Sequence, residues 1–290
     1  MQRFSFKITP YLFLAPAFAV LTVFFFLPFA QTIFLSTQDF SLGIYEPVFV
    51  GARNYALLLK SPDFLKTILN TFYFMLLCVP ILVVFPLFLA ILINSQIKGK
   101  TVYKLIIYLP VVVSIVVVAI AFKWLFAPEG LLNYLIGLFG LHSVGWLSDP
   151  RVAMVSVAIV TVFRGVGYYM MIYLAALMSI PRELYEAAEC DGANAVQKHF
   201  AVTIPQILPT IALVTTVSAI SALKVFVEIY VMTRGGPLDS TKTIVYYIYE
   251  RAFENLDLGL ASAAAVVLLV IVLVFSCFNI FIFERKKYEL

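Results

Sequence analysis

Arg164, Lys224 and Glu228 stand inside long apolar runs, where a charge is hard to accommodate. An ionisable group in a membrane span costs roughly 2.5–3.5 kcal/mol on insertion scales, so each is a candidate for a functional role. Lys224 and Glu228 are four residues apart, a spacing that lets them pair on one helix face. From the start of their run near Ile207, at 1.5 Å per residue, Lys224 lies about 26 Å along it, past the midplane. Two readings therefore stand: a working pair, or side chains that neutralise each other or reach interfacial water. Other chemistry is poorly supplied. Cys78, Cys190 and Cys277 have no metal-ligand or disulfide spacing, and His142 and His199 are far apart. Gly99-Lys100-Thr101 ends like a phosphate-binding loop, but Asn94 stands where the first glycine is required, and the tripeptide follows an apolar run rather than a strand. The chain is read as a non-enzyme without a metal or cofactor of its own.

The elements that must position these residues follow from composition. Of 290 residues, 63% are hydrophobic and 12% charged, whereas a soluble domain carries roughly 25% charged residues. The chain lacks the polar surface to coat a water-facing globule, and disorder is excluded on the same ground. The net charge of +4 does not signal nucleic acid, because the cations punctuate apolar runs instead of clustering. Six continuous apolar stretches of about 20 residues or more predict an all-α integral membrane protein with six transmembrane helices. They lie near 11–35, 68–93, 105–126, 152–178, 207–232 and 258–283, within a single membrane domain over 1–290. The first is too long for a signal-peptide core and no small-residue cleavage site follows it. Pro28, Pro80, Pro86 and Pro110 fall within spans, where they are either kinks around a cavity or simply tolerated. Placing both termini in the cytoplasm puts Arg3, Lys7, Lys98, Lys100, Lys104, Arg182, Lys198 and Arg285-Lys286-Lys287 inside. The smaller set outside is Arg53, Lys60, Lys66, Lys123, Arg151, Arg234, Lys242 and Arg251.

The loop over 179–205 has a pattern that membrane burial does not demand. Pro181 suits the first turn of a helix and Glu183 complements its positive end. Leu184, Ala187 and Ala188 share one face, and Asp191-Gly192 ends the helix, since glycine permits the positive φ of a C-terminal cap. A second short helix is expected from Asn194 to about Phe200, with Phe200 as an apolar anchor. Pro205 and Pro209 then open the fifth span. Two short helices at a glycine corner would present acids and small alanines to the cytoplasm, where another protein's backbone can approach closely. A helix lying on lipid is the alternative, but such helices are usually cationic on their polar face. Here Arg182 stands against Glu183, Glu186 and Glu189.

Glu186-Ala187-Ala188, Asp191-Gly192-Ala193, Ile204-Pro205 and Leu208-Pro209 resemble the EAA loop of binding-protein-dependent ABC importer permeases. Tyr230-Val-Met-Thr-Arg-Gly-Gly-Pro237, with Tyr246, Tyr249, Ala252 and Phe253, is similar to the carbohydrate branch, first permease of the maltose and glycerol-phosphate type. So are Gly51-Ala-Arg-Asn-Tyr55, Asn70-Thr71, Tyr108-Leu-Pro110 and Gly130-Leu-Leu-Asn133. The resemblance implies a subunit of a bacterial plasma-membrane importer for a sugar or sugar-like solute. Its partners would be a second permease subunit, ABC ATPase subunits that carry ATP and magnesium, an extracytoplasmic solute-binding protein and the lipid bilayer, with no nucleic acid. Glu186 would then be the charged anchor in the ATPase cleft, Ala187 and Ala188 the packing face, and Gly192 the turn, with Glu183 and Asp191 beside them. Sugar-contacting positions of the maltose-type relative fall at Gly165, Tyr168 and Ser221. Ala222 and Val225 also align with contact positions but lack polar side chains, which argues against a maltose-like binding mode. Val227 replaces a common Asp next to Glu228, which loosens any transfer of that residue's role. Tyr168, Tyr169 and Tyr173, with Ser218 and Ser221, offer flat faces and hydroxyls suited to a sugar cavity, or else ordinary helix packing. The alternatives are an ABC permease for an amino acid or polyamine, against which Gly235-Gly236-Pro237 argues, an ion-coupled secondary transporter, and an intramembrane enzyme. The last lacks a carboxylate pair, metal cluster or nucleophile dyad.

Overall fold

The computed structural model describes residues 2–41, 46–95 and 99–287. Lys98 lies outside the described residues, as do the side chains of Arg3, Lys7, Arg285, Lys286 and Lys287. The chain is an all-helical membrane protein with one short ladder. In order it forms α1 (Gln2–Leu21), a π-helical turn (Thr22–Phe26), α2 (Leu27–Leu35), β1 (Gln38–Asp39), β2 (Val48–Phe49), α3 (Arg53–Lys60) and α4 (Pro62–Asn94). Then come α5 (Lys100–Val112), α6 (Ile115–Leu125), α7 (Leu131–Leu138), α8 (Ala153–Met178), α9 (Arg182–Cys190) and α10 (Ala195–Lys198). A second π-helical turn (His199–Thr203) leads into α11 (Ile204–Gln206), α12 (Leu208–Leu223), α13 (Val227–Met232) and α14 (Ile244–Tyr249). A third (Glu250–Glu254) precedes α15 (Leu258–Lys287). Among the described residues, five stretches are long and apolar enough to cross a bilayer: Pro10–Leu35, Pro62–Asn94, Ala153–Met178, Leu208–Met232 and Leu258–Asn279. α5 and α6, bent by 94°, make a sixth if the pair is one span.

Two compact units divide the chain: Met1–Leu65 with Tyr247–Leu269, and Lys66–Tyr246 with Val270–Leu290. In the first, β1 and β2 pair antiparallel, Gln38 opposite Phe49. Asn54, nearly buried, donates to the carbonyls of Ser36 (3.0 Å) and Gln38 (2.7 Å). Tyr55 bonds the Ser36 hydroxyl. The Gly51–Tyr55 segment is thus a clasp, turned by Gly51 at φ +59°. Gly259 starts α15 where a Cβ would lie 2.2 Å from the Gln38 carbonyl oxygen, a position only glycine fits. Arg251 lies 5.0 Å over the Tyr247 ring and 3.7 Å from Asp63.

In the second unit α8 is the central helix, packed by α5, α6, α12 and α13. Its buried side includes Met154, Val157, Val160, Met170 and Tyr173. A Cβ on Gly167 would come within 2.3 Å of the Ile107 carbonyl oxygen, so this glycine sets how closely α5 lies on α8. The third apolar run is not one helix. Pro110 has no amide to donate to the carbonyl four residues back, and the ladder gives way at Val113 and Ser114, both extended (ψ 140° and 133°). The Ser114 carbonyl then accepts from Val118 to begin α6. The fifth run also breaks, over Lys224–Phe226. The Val225 carbonyl freed there accepts from the Thr243 hydroxyl at 3.2 Å, which meets the demand that buried backbone groups be paired.

Candidate functional site

The break in the fifth run lies beside the middle of α8, and there the second unit encloses a cavity of about 600 Å³. Gly165, Tyr168, Ser221, Lys224 and Glu228 all line it, so residues 63 positions apart in the chain meet in one space. On α8 the lining residues Thr161, Arg164, Gly165 and Tyr168 follow i, i+3, i+4, i+7 spacing, one helix face. A Cβ on Gly165 would press on a Leu82 methyl at 2.7 Å, so the missing side chain widens the cavity. Lys224 and Glu228 do not share one continuous helix, because α12 stops at Leu223 and α13 begins at Val227. Glu228 instead accepts from the Thr161 hydroxyl across the cavity wall, at 3.1 Å. Arg164 lines the same cavity with its Nε buried and without a partner among the described residues. Ala222 and Val225, both nearly buried, line it as apolar surface.

Tyr173 is fully buried in the core and is not among the lining residues. Its role is packing, one of the two readings the sequence left open for these tyrosines. Tyr169 is 4% exposed and meets the Tyr168 ring edge to face at 5.1 Å, while Tyr168 is 43% exposed. Thr161 and Tyr108 are cavity residues that sequence reasoning did not single out. The helical spacing from Thr161 to Tyr168 was a usable signal for the first; none marks Tyr108 as facing α8. Phe226, in the break, stacks on Tyr230 at 5.4 Å and Tyr246 at 6.4 Å. The cavity thus offers hydroxyls, an aromatic face, two cations and one carboxylate in a helix-lined space.

The second candidate surface is the loop after α8. Pro181 is the N-cap of α9, with Glu183 in its first turn. The far end closes as a Schellman motif: Gly192, at φ +83°, donates to Glu189 O (3.0 Å) and Ala193 to Ala188 O (2.9 Å). Asn194 and Gln197 form a reciprocal capping box that starts α10. Glu183, Glu186, Ala187, Asp191 and Gly192 are exposed, whereas Ala188 is half-buried on the inner side. Ala187 is thus the more open of the two alanines. Phe200 does not anchor the second helix: it is 68% exposed, as is Val196 at 63%, because the chain winds into a π-helical turn that sends the ring outward. Outside the spans, Lys198 donates to Glu189 at 2.5 Å and holds that carboxyl below its ordinary range.

The chain matches, over residues 48–287, the family described as binding-protein-dependent transport system inner membrane component. It is 35% identical over 288 residues to the probable ABC transporter permease protein YurN of Bacillus subtilis, covering 98% of each chain. The arabinooligosaccharides transport system permease protein AraP of Halalkalibacterium halodurans is 34% identical over 280 residues, 95% of this chain and 88% of that one. Among solved structures, it is similar to a chain of a bacterial alginate ABC transporter in complex with alginate pentasaccharide-bound periplasmic protein. The TM-score is 0.87, with 26% identity and 99% of each chain covered.

Proposed function

The chain belongs to the family of binding-protein-dependent ABC transporter permeases, on its carbohydrate-uptake branch, and from that premise we propose that it forms part of the pathway by which a saccharide enters the cytoplasm. As a permease subunit of that family it carries no catalytic site or cofactor; ATP is hydrolysed on a partner ATPase. A saccharide suits the cavity, whose hydroxyls, Tyr168 face and charged groups match a solute rich in oxygen atoms. Relatives named for arabinooligosaccharides and for alginate support the same class. The substrate-contacting set is Gly165, Tyr168, Ser221, Lys224 and Glu228, within one permease domain that crosses the membrane six times when α5 and α6 count together. Both termini and α9 face the cytoplasm, and a second permease completes the pathway.

Coupling is assigned to the loop after α8, as its EAA resemblance implies. The observation that carries this is the loop's outward face. Glu183, Glu186 and Ala187 are exposed beside Leu184 (37%), Val196 and Phe200, an acidic and apolar surface at the end of a membrane helix. Such a surface suits burial in a protein cleft and suits anionic lipid poorly. Glu186 anchors it, Ala187 permits close approach, and Asp191 and Gly192 hold the corner, with Ala188 seating α9 on its own chain. The direct test is co-purification of the ATPase with the chain lacking residues 181–200. Loss of the ATPase is expected, with membrane insertion unchanged; retention of a full complement would overturn the assignment.

A further inference from the structure

An ATPase that grips the outer face of α9 moves the spans only as far as α9 is fixed to them. The chain itself fixes it weakly on one side. Gly192 is a left-handed corner with nothing within 4 Å of where a Cβ would stand, so the link from α9 to α10 is held by its own cap bonds and not by side-chain packing at that residue. The ion pair between Glu189 and Lys198 bridges the corner, but Glu189 is 59% exposed, and exposed pairs contribute little. One inner connection is different in kind. Thr203, 1% exposed and last in the π-helical turn that leads to the fifth span, bonds the Tyr185 hydroxyl at 2.9 Å and His199 Nδ1 at 3.0 Å. A hydroxyl has one proton to donate and two lone pairs to accept with, so Thr203 can serve both bonds at once and gives at most one of them. The three side chains connect α9, through a buried atom, to the residue that precedes α11. They also line a cavity of about 280 Å³ with Ile91, Leu92 and Asn94 of α4 and Leu177 of α8.

We propose that Thr203 is a positioning residue for transport: its hydroxyl, bonded to Tyr185 and His199, makes α9 and the start of the fifth span move as one body. This rests on α9 being the ATPase-binding helix. Removing the bond leaves ATP hydrolysis able to proceed while the cavity ceases to follow it. Because both bonds end on the Thr203 hydroxyl, losing that hydroxyl already removes Tyr185's bond, and the loss of Tyr185's own hydroxyl adds nothing to it.

The test uses the whole complex in lipid nanodiscs, with Cys190 and Cys277 replaced by Ser and Ser221→Cys as a reporter in the cavity. The reaction rate of that thiol with a charged methanethiosulfonate reagent is compared between nucleotide-free and ATP–vanadate-trapped states. With Tyr185 and Thr203 intact, trapping is expected to change the rate at least about fivefold, the scale of a coupled transition. Thr203→Val, which keeps the shape, and Tyr185→Phe should each cut that change by about two- to tenfold, the weight of one hydrogen bond, while ATPase turnover persists. Thr203→Ser should restore it, and Tyr185→Phe with Thr203→Val should be no worse than Thr203→Val alone. A full response in Thr203→Val, or additive losses in the double variant, overturns the proposal and leaves the assignment of α9 standing. No response even with both side chains intact overturns the assignment and the proposal together.

Discussion

Tyr168 and Tyr169 are neighbours that both line the cavity, but Tyr168 is open to it and Tyr169 is nearly buried. Tyr168→Ala is therefore expected to lower uptake of the saccharide carried by the cognate binding protein roughly tenfold, the loss of one good polar or aromatic contact. The saccharide's affinity for the binding protein itself should not change; initial uptake rates at sub-saturating solute check this. Tyr169→Ala should instead reduce the amount of folded chain in the membrane. On the loop, Lys198 depresses the Glu189 pKa. Such a carboxylate favours the folded loop at pH above the ordinary carboxylate range, and that contribution is lost as pH falls through its lowered value. Amide protection factors across residues 182–198, corrected for intrinsic exchange at each pH, should fall in that acid window, and Glu189→Gln should remove that part of the pH dependence. Some of this site was legible from residue types alone. Ionisable groups inside apolar runs pointed to Arg164, Lys224 and Glu228, whereas Gly165, Tyr168 and Ser221 were singled out through the resemblance to the maltose-type permease. The Thr161–Glu228 bond was not legible, because its partners are 67 residues apart and meet only through helix packing.

Two glycines in helices separate local propensity from packing. Gly167 faces the Ile107 carbonyl oxygen at a range no Cβ tolerates, so Gly167→Ala should force α5 away from α8 and destabilise by about 1–3 kcal/mol. Gly137, in α7, has nothing within 4 Å, and Gly137→Ala should stabilise by up to about 1 kcal/mol through the unfolded chain. Unfolding temperatures of the detergent-solubilised protein should move in opposite directions for the pair. The helices were legible because hydropathy sums over many residues and survives single exceptions. The two breaks were not. Val111-Val112-Val113-Ser114-Ile115 stays apolar straight through a 94° bend, and hydropathy does not register a change of ψ. Pro110 was visible, but whether a proline bends or merely perturbs a helix depends on what neighbours offer the freed carbonyls. The corner of the loop after α8 was easier, since Asp191-Gly192 and the Asn194–Gln197 capping box act within a few residues of themselves.

At the scale of the molecule, energy comes from elsewhere. Uptake should cease when vanadate traps the ATPase and should survive a protonophore that leaves cellular ATP intact; the reverse pattern would replace the importer reading with an ion-coupled one. The stretch Pro10–Leu35 bears on how such a chain can vary. Within the window that qualifies it as a span, no residue is buried by the rest of the chain. Nothing in the interior distinguishes Phe24 from Leu21, or one order of these side chains from another. Shuffling residues 11–27 among themselves should therefore leave the thermal unfolding of the isolated subunit where it was. Any fall in assembly or uptake after such a shuffle would report a surface that belongs to a neighbouring molecule, so this helix is written in a vocabulary the rest of its own polypeptide does not read.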